Sequence, residues 1–441
     1  MKLQRSLGTL ALVFVLFFCT SGGAYTTETL VAAVGPGLAL LVLIAVPIFW
    51  SLPETLIIGE LASMLPEEGG YYKWVRRAFG PFWAFQNAWL TWMYSLVDMA
   101  LYPVIFNQYL AYFVPGLNPW AQWGISLAVI WTATAVNLMG ARPVGRVSIV
   151  AGSFIIFGFL ALTAAAIPHV THAPWEPFLK HGQGTLGAIG VGFSLALWNY
   201  SGWDNASTVQ GEVRDASRSY PRALAFGLPL VMLGYLLPLT ATLGASDWTT
   251  WQDGGWPQIA LATAGRMGPL LAVWIALGGL VSALALFNAL LLAYSRVPLA
   301  MADDGLLPRV LAKTDARGTP RNAVLVSAVC YSIFATIQLK GLVVADVLLY
   351  ALALFLEFGA LIVLRRKEPE LRGSFRIPVN TAGVTVLAII PMLVLIGVVW
   401  LDMHDGEFGM PAVIGSVIAA LLGPIAYLAA KKFVDTRRRE T

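Results

Sequence analysis

Apolar residues run in long blocks along this chain, and polar residues gather in short clusters between them. Twelve apolar segments are legible, at about 6–33, 37–62, 82–112, 120–139, 146–168, 184–212, 222–243, 268–300, 322–339, 344–364, 381–401 and 411–430. Each comes close to or exceeds the roughly 20 residues a helix needs to cross a bilayer. None alternates apolar with polar in the manner of barrel strands. The pattern predicts an all-α membrane protein with 12 transmembrane helices.

Two segments falter part-way. The first reads LFFCTSGGAYTTE over Leu16–Glu28, where hydrocarbon gives way to two glycines and then to polar residues. The sixth, GVGFSLALWNYSGWDNASTVQGEV, breaks at Ser201-Gly202. Unwinding a span leaves backbone N–H and C=O groups unpaired, at several kcal/mol each, so a break persists only where those groups face protein, water or a ligand. Segments one and six are five apart. Five is odd, so two tandem five-helix units enter the membrane in opposite senses. Interrupted helices at matching places in two halves point to a carrier with a midplane site between inverted repeats. The halves are expected at 1–170 and 184–366, with 380–430 forming two further, peripheral helices of one membrane domain. A secretory signal is the alternative for the opening: Lys2 and Arg5, then Ala11–Phe18, then small residues Ser21–Ala24. The recurrence of the break in segment six favours a broken helix.

Composition agrees with this picture. Hydrophobic residues make up 58% and charged ones 12%, against about 25% charged in soluble domains. Of the 28 Lys and Arg, all but Lys180, Arg266 and Lys340 fall in alternate loops, which places both termini in the cytoplasm and the bundle in the cell membrane. Basic residues confined to short loops report topology and make no case for nucleic acid. Cys19 and Cys330 lie far apart in apolar segments and imply no disulfide framework. His169, His172, His181 and His404 all fall in expected outer loops, so no metal site and no cofactor are expected, although HVTH has metal-like spacing. No phosphate-cradling GxxxxGK[ST] motif suggests an ATP-driven pump. A sensory receptor would need a cytoplasmic domain that the short flanks beyond Arg5 and Lys431 do not suggest.

The chemistry lies in carboxylates at membrane depth, which are costly and usually functional. Asp98 shares a helical face with Trp92, Ser95 and Tyr102, at spacings of three, three and four. Asp204 follows the second break, Glu357 lies in segment ten, Glu54 follows Pro53, and Glu60 is nearer a membrane face. No Lys or Arg is expected near a span centre. These acids are therefore read as binding a cationic substrate or carrying a coupling proton, with helix bracing as the plain alternative. Asp204, Asp98 and Glu54 are the coupling candidates. At the breaks, the amides of Ser21, Gly22 and Gly23 suit a carboxylate, and Asn199, Tyr200, Gly202 and Trp203 form the second half of the site. Trp198, Tyr200 and Trp203 offer faces to an ammonium, or act as packing and interface anchors.

Four stretches resemble the amino acid–polyamine–organocation superfamily of secondary transporters: ELASMLPEEGGYYKWVRRAFGPFWAF, LWNYSGWDNASTVQGEVRDASRSYPRAL, SRVPLAMADDGLLPRVLAKTDARGTPRNA and LRRKEPELRGSFRIPV. Within it, SGGAYTTE, WSLPETLIIGE, LVDMALYPVIFNQYL and FLEFGALIVLRRKEPE resemble the polyamine-uptake and L-amino-acid transporter branch known from plants. The resemblance implies a leucine-transporter-type fold with a 5+5 inverted repeat and broken helices 1 and 6. It also implies alternating access, with substrate held between helices one, three, six, eight and ten. It maps Ser21, Gly22 and Gly23 onto the carboxylate-binding break. Trp198 and Asp204 keep the six-residue spacing of the Trp–Glu pair of the arginine–agmatine exchanger, with Asp one methylene shorter. The helix-five lysine of a bacterial proton-coupled relative is absent from VSIVAGSFIIFGFLALTAAAIP. Ser153 and Ser282 are the available oxygens for a sodium alternative. The expected function is secondary transport of a cationic amino acid or polyamine, proton-coupled; a neutral L-amino-acid transporter or exchanger is the alternative. The expected partners are the small-molecule substrate, the coupling proton and the lipid bilayer.

Overall fold

The computed structural model describes residues 5–182, 184–335, 342–405 and 409–440. Lys2 and Lys340, and the side chains of His404 and Arg437–Arg439, lie outside the described residues. Among the described residues the chain is helical throughout, and its only β feature is an isolated parallel bridge between Leu7 and Val213.

The first expected span is two helices, α1 (Thr9–Thr20) and α2 (Thr27–Val34). Gly22 and Gly23 adopt φ of 69° and 106° between them, a region that glycine enters without the penalty other residues incur. Gly35-Pro36 ends α2 and starts α3 (Pro36–Val46). A π-helical turn at Pro47–Ser51 joins α3 to α4 (Leu52–Met64), giving one apolar run over Pro36–Met64. Pro47 and Pro53 bracket that turn, and each lacks the N–H a regular helix needs. A short α5 (Gly70–Phe79) precedes α6 (Pro81–Leu110), α7 (Pro119–Leu138) and α8 (Ala141–Ala166).

The sixth expected span is also divided. The α9 helix (Thr185–Tyr200) stops at Ser201, and the chain resumes as a 3-10 stretch over Asn205–Glu212. Then follow α10 (Ala216–Leu243), the short α11 (Trp256–Thr263), α12 (Gly268–Tyr294), α13 (Arg296–Asp303), α14 (Arg321–Phe334), α15 (Leu342–Lys367), α16 (Thr381–Asp405) and α17 (Gly409–Glu440). Eight helices among the described residues are long and apolar enough to cross a membrane, and Thr9–Thr20 and Arg321–Phe334 are shorter apolar helices. The helical stretches α5 and α11 fall where the pattern predicts loops. His404 lies within the bounds of α16 and not in a loop.

Burial separates an inner set of helices from an outer one. The apolar windows of α15 and of the Pro36–Met64 run are 67% and 61% buried, whereas those of α16 and α17 are 28% and 11% buried. Ile396, Leu421 and Leu428 of these outer helices present apolar side chains outward, the surface expected against lipid. The inner set includes α1, packed against α8, α10 and α12.

One end of the bundle is knitted by ion pairs. Arg365 donates through Nε and Nη2 to Glu60, at 2.6 and 2.5 Å, and through Nη1 to the Val379 carbonyl at 2.6 Å. Both members are buried, at 2% and 1% exposure. The expectation that the membrane acids lack a basic partner is therefore wrong for Glu60. Arg365 sits at the end of α15, beyond the segment bounds read from hydropathy, and its long side chain reaches back inward. Arg296 similarly binds Glu212 at 3.0 and 2.7 Å, Asp304 receives Lys73 and Arg76, and Arg77 grips Glu368 with two bonds.

Candidate functional site

The two breaks lie against each other, and side chains satisfy much of the backbone they free. At the first, Ser282 Oγ donates to the Gly22 carbonyl at 2.6 Å and Trp256 Nε1 to the Ala24 carbonyl at 2.8 Å. The Gly23 N–H reaches Ser21 Oγ at 3.1 Å, and the Gly22 N–H returns to the Phe17 carbonyl. At the second, tyrosine hydroxyls do the same work: Tyr235 donates to Asn199 O at 2.7 Å and Tyr220 to Trp203 O at 2.9 Å. Thr26 Oγ1 donates to Asn199 Oδ1 at 2.8 Å and ties one break to the other. Gly202, with φ of 105°, packs directly on the Cys19 carbonyl.

A cavity opens where the two breaks meet. Five of the eleven residues expected to bind substrate line it: Ser21, Asp98, Trp198, Asn199 and Gly202. Six are not among its lining residues: Gly22, Gly23, Tyr200, Trp203, Asp204 and Glu357. Tyr200 is fully buried and donates to the Leu43 carbonyl at 2.9 Å. Trp203 is fully buried beside Gly227. Glu357 accepts a bond from Asn87 at 3.1 Å, away from the cavity.

Sequence reasoning missed much of the wall. Tyr94, Tyr294 and Tyr350 line the cavity with Asn205 and a second acid, Asp346, beside the Tyr102 already placed on the Asp98 face. No Lys or Arg among the described residues lines it. Asp98 accepts from Tyr102 at 2.6 Å and from Tyr294 at 3.1 Å, while Tyr94 donates to Asn205 Oδ1 at 2.9 Å. Asp346 is 4% exposed, and its Oδ1 is buried without a hydrogen-bond partner among the described residues. A signal was available: Asp346, Tyr350 and Glu357 recur at spacings of four and seven, one face of a helix.

Asp204 and Glu54 meet outside the cavity, on the far side of Tyr350. The Tyr350 oxygen lies 2.5 Å from Glu54 Oε1 and 2.9 Å from Asp204 Oδ1, and accepts the Gly202 N–H at 2.9 Å. A phenol has one proton to donate. It satisfies one carboxylate, and the second contact is a hydrogen bond only when that carboxyl carries a proton of its own. Ser282 is committed to the Gly22 carbonyl. No group of three or more His, Cys, Asp or Glu is arranged to hold a metal among the described residues.

With this arrangement established, likeness to known proteins decides the family. The amino acid permease family model matches residues 7–421. The chain belongs to that family. This amino acid permease is thus a multi-pass integral membrane protein of the amino acid–polyamine–organocation superfamily, and a transporter rather than an enzyme. It is 35% identical over 435 residues to the polyamine transporter RMV1 of Arabidopsis thaliana, covering 97% of this chain and 86% of that one. To the polyamine transporter PUT1 of Oryza sativa subsp. japonica it is 34% identical over 402 residues, covering 90% and 73%. The probable polyamine transporter At3g19553 of Arabidopsis thaliana is 36% identical over 400 residues, covering 90% and 82%.

Proposed function

We propose that this permease is a secondary carrier moving a cationic amino acid or polyamine across the cell membrane by alternating access, driven by a proton. The observation that carries the reading is the cavity where the two breaks meet, which has two carboxylates and no basic side chain among the described residues of its wall. A cation balances those charges, and the ring faces of Trp198 and the tyrosines add cation–π attraction. The names of the Arabidopsis and rice relatives agree with a polyamine. Breaks in the first and sixth spans support a leucine-transporter-type fold, with inverted halves at 1–170 and 184–366 and peripheral helices over 380–430. Both termini are assigned to the cytoplasm from the placement of basic loops.

The coupling proton is assigned to the pair Glu54 and Asp204, bridged by Tyr350. In that triad one protonated carboxyl completes every hydrogen bond of the phenol, and Tyr350 also touches the cavity. A substrate that moves this ring alters the proton's site, so the two equilibria are linked. A neutral L-amino-acid carrier is the second reading, favoured by Ser21 of the first break standing in the cavity wall.

Uptake into proteoliposomes tests the assignment, with putrescine, spermidine, lysine, arginine and leucine each measured with and without a proton or sodium gradient. Amine or basic amino acid uptake that follows the proton gradient is expected. Leucine uptake without any cation uptake would establish the second reading instead.

A further inference from the structure

Polar side chains on α6 and α15 face each other in an antiparallel register. Asn87 of α6 bonds to Glu357 of α15 at 3.1 Å. Seven residues further along α6 and seven back along α15, Tyr94 meets Tyr350 edge to face, with centroids 5.4 Å apart. Four more residues in each direction bring Asp98 and Asp346, and both line the cavity. The first rung is an amide on a carboxyl and the second a ring on a ring. The third places two acids on one cavity with no basic side chain among the described residues of its wall. Asp98 has two tyrosine donors. Asp346, 4% exposed, has a buried oxygen with no donor among the described residues.

We infer that Asp346 is a specificity-determining residue that receives a second ammonium group, so that the Asp98–Asp346 rung selects a dication over a monocation of the same length. The inference rests on the cationic-substrate reading above and deepens it. Two carboxylates in one low-dielectric space repel each other, and one ammonium leaves a net negative charge uncompensated. An α-amino acid with a neutral side chain brings its own carboxylate into the same field. A linear diamine places one ammonium on Asp98 and its tyrosines and the other on Asp346 Oδ1, with its methylenes along the tyrosine rings.

Putrescine and n-butylamine share four carbons and differ in one ammonium, so their ratio reads the second site alone. Competition and uptake in proteoliposomes are measured for the wild type, Asp346→Asn and Asp346→Glu. Wild type is expected to prefer putrescine by at least about tenfold, the worth of a hydrogen bond to a charged group. Asp346→Asn is expected to lose most of that preference while keeping n-butylamine affinity within about threefold, and Asp346→Glu to retain it in part. Equal loss of both amines in a monodisperse, folded Asp346→Asn variant overturns the assignment, as does an unchanged ratio. Should Asp346→Asn not fold, the wild-type ratio decides: a value near one overturns the assignment. Leucine uptake by wild type with no uptake of either amine would instead defeat the underlying cation reading.

Discussion

Gly202 lies so close to the carbonyl oxygen of Cys19 that a Cβ on it would overlap that oxygen. The two helix breaks thus touch through bare backbone, at residues that both line the cavity. Gly202→Ala adds both the overlap and a strained φ of 105°. We expect it to lower thermal stability by about 1–3 kcal/mol, the usual cost of a residue forced into a sparsely populated conformation. It should also reduce uptake more than it reduces the amount of folded protein. Full uptake by Gly202→Ala would show that this contact tolerates a wider spacing.

Tyr350→Phe keeps the ring against Tyr94 and removes the hydroxyl shared by Glu54, Asp204 and the Gly202 amide. Stranding buried polar groups costs about 1–3 kcal/mol, so gradient-driven uptake should fall about tenfold or more. Substrate exchange without a gradient should fall much less. Asp204→Asn should behave in the same way. Uptake plotted against external pH is the measurement, and a profile identical to wild type would remove the proton from this triad.

Arg365 and Glu60 form a buried pair that either partner alone leaves stranded. Arg365→Met should destabilise by about 3–5 kcal/mol, while the double variant Glu60→Met/Arg365→Met should recover most of the loss. Melting midpoints in nanodiscs complete the cycle. Additive losses would mean that the pair acts separately, through the Val379 and Ile377 backbone bonds.

Glu68 lies in the loop before α5, 15% exposed, and 3.8 Å from Arg296. Burial, with Glu212 beside it, holds its carboxyl well above the ordinary range against the pull of Arg296. The folded chain therefore binds this proton more tightly than the unfolded chain does. Its stability is undiminished below about pH 4, the ordinary range, and declines as pH rises towards the raised folded value. Glu68→Gln has no such decline, so its melting midpoint relative to wild type should climb as pH rises above about 4. The Gly211 amide, 3.0 Å from Glu68 Oε2, keeps an acceptor in the variant. A difference independent of pH would refute the argument.

The breaks were legible because glycine and serine interrupt hydrocarbon, and little except function preserves such interruptions. Asp98 was legible for a similar reason, as a charge deep in an apolar run with Tyr102 one turn away. Asp346 was not, because it stands two residues inside the expected start of its segment, where carboxylates ordinarily face water. Tyr94, Tyr294 and Tyr350 were hidden by their chemistry: a tyrosine in a membrane helix reads as packing until its hydroxyl has an address. Arg365 was missed because hydropathy ends a segment at the first basic cluster, whereas a guanidinium on a long stem folds back below that limit. Trp203 and Tyr200 flank the break in sequence yet face away from the cavity, since neighbours along an unwound turn point in different directions.

The α6–α15 ladder makes spacing itself a carrier of information. Inserting one residue between Tyr94 and Asp98 turns everything beyond it by about 100°, which leaves the Asn87–Glu357 rung in place and swings the acid out of phase with its counterpart. A chain with every one of these side chains and one extra alanine would have the right alphabet and the wrong metre, and relatives can be sorted by that count before a single transport assay is run.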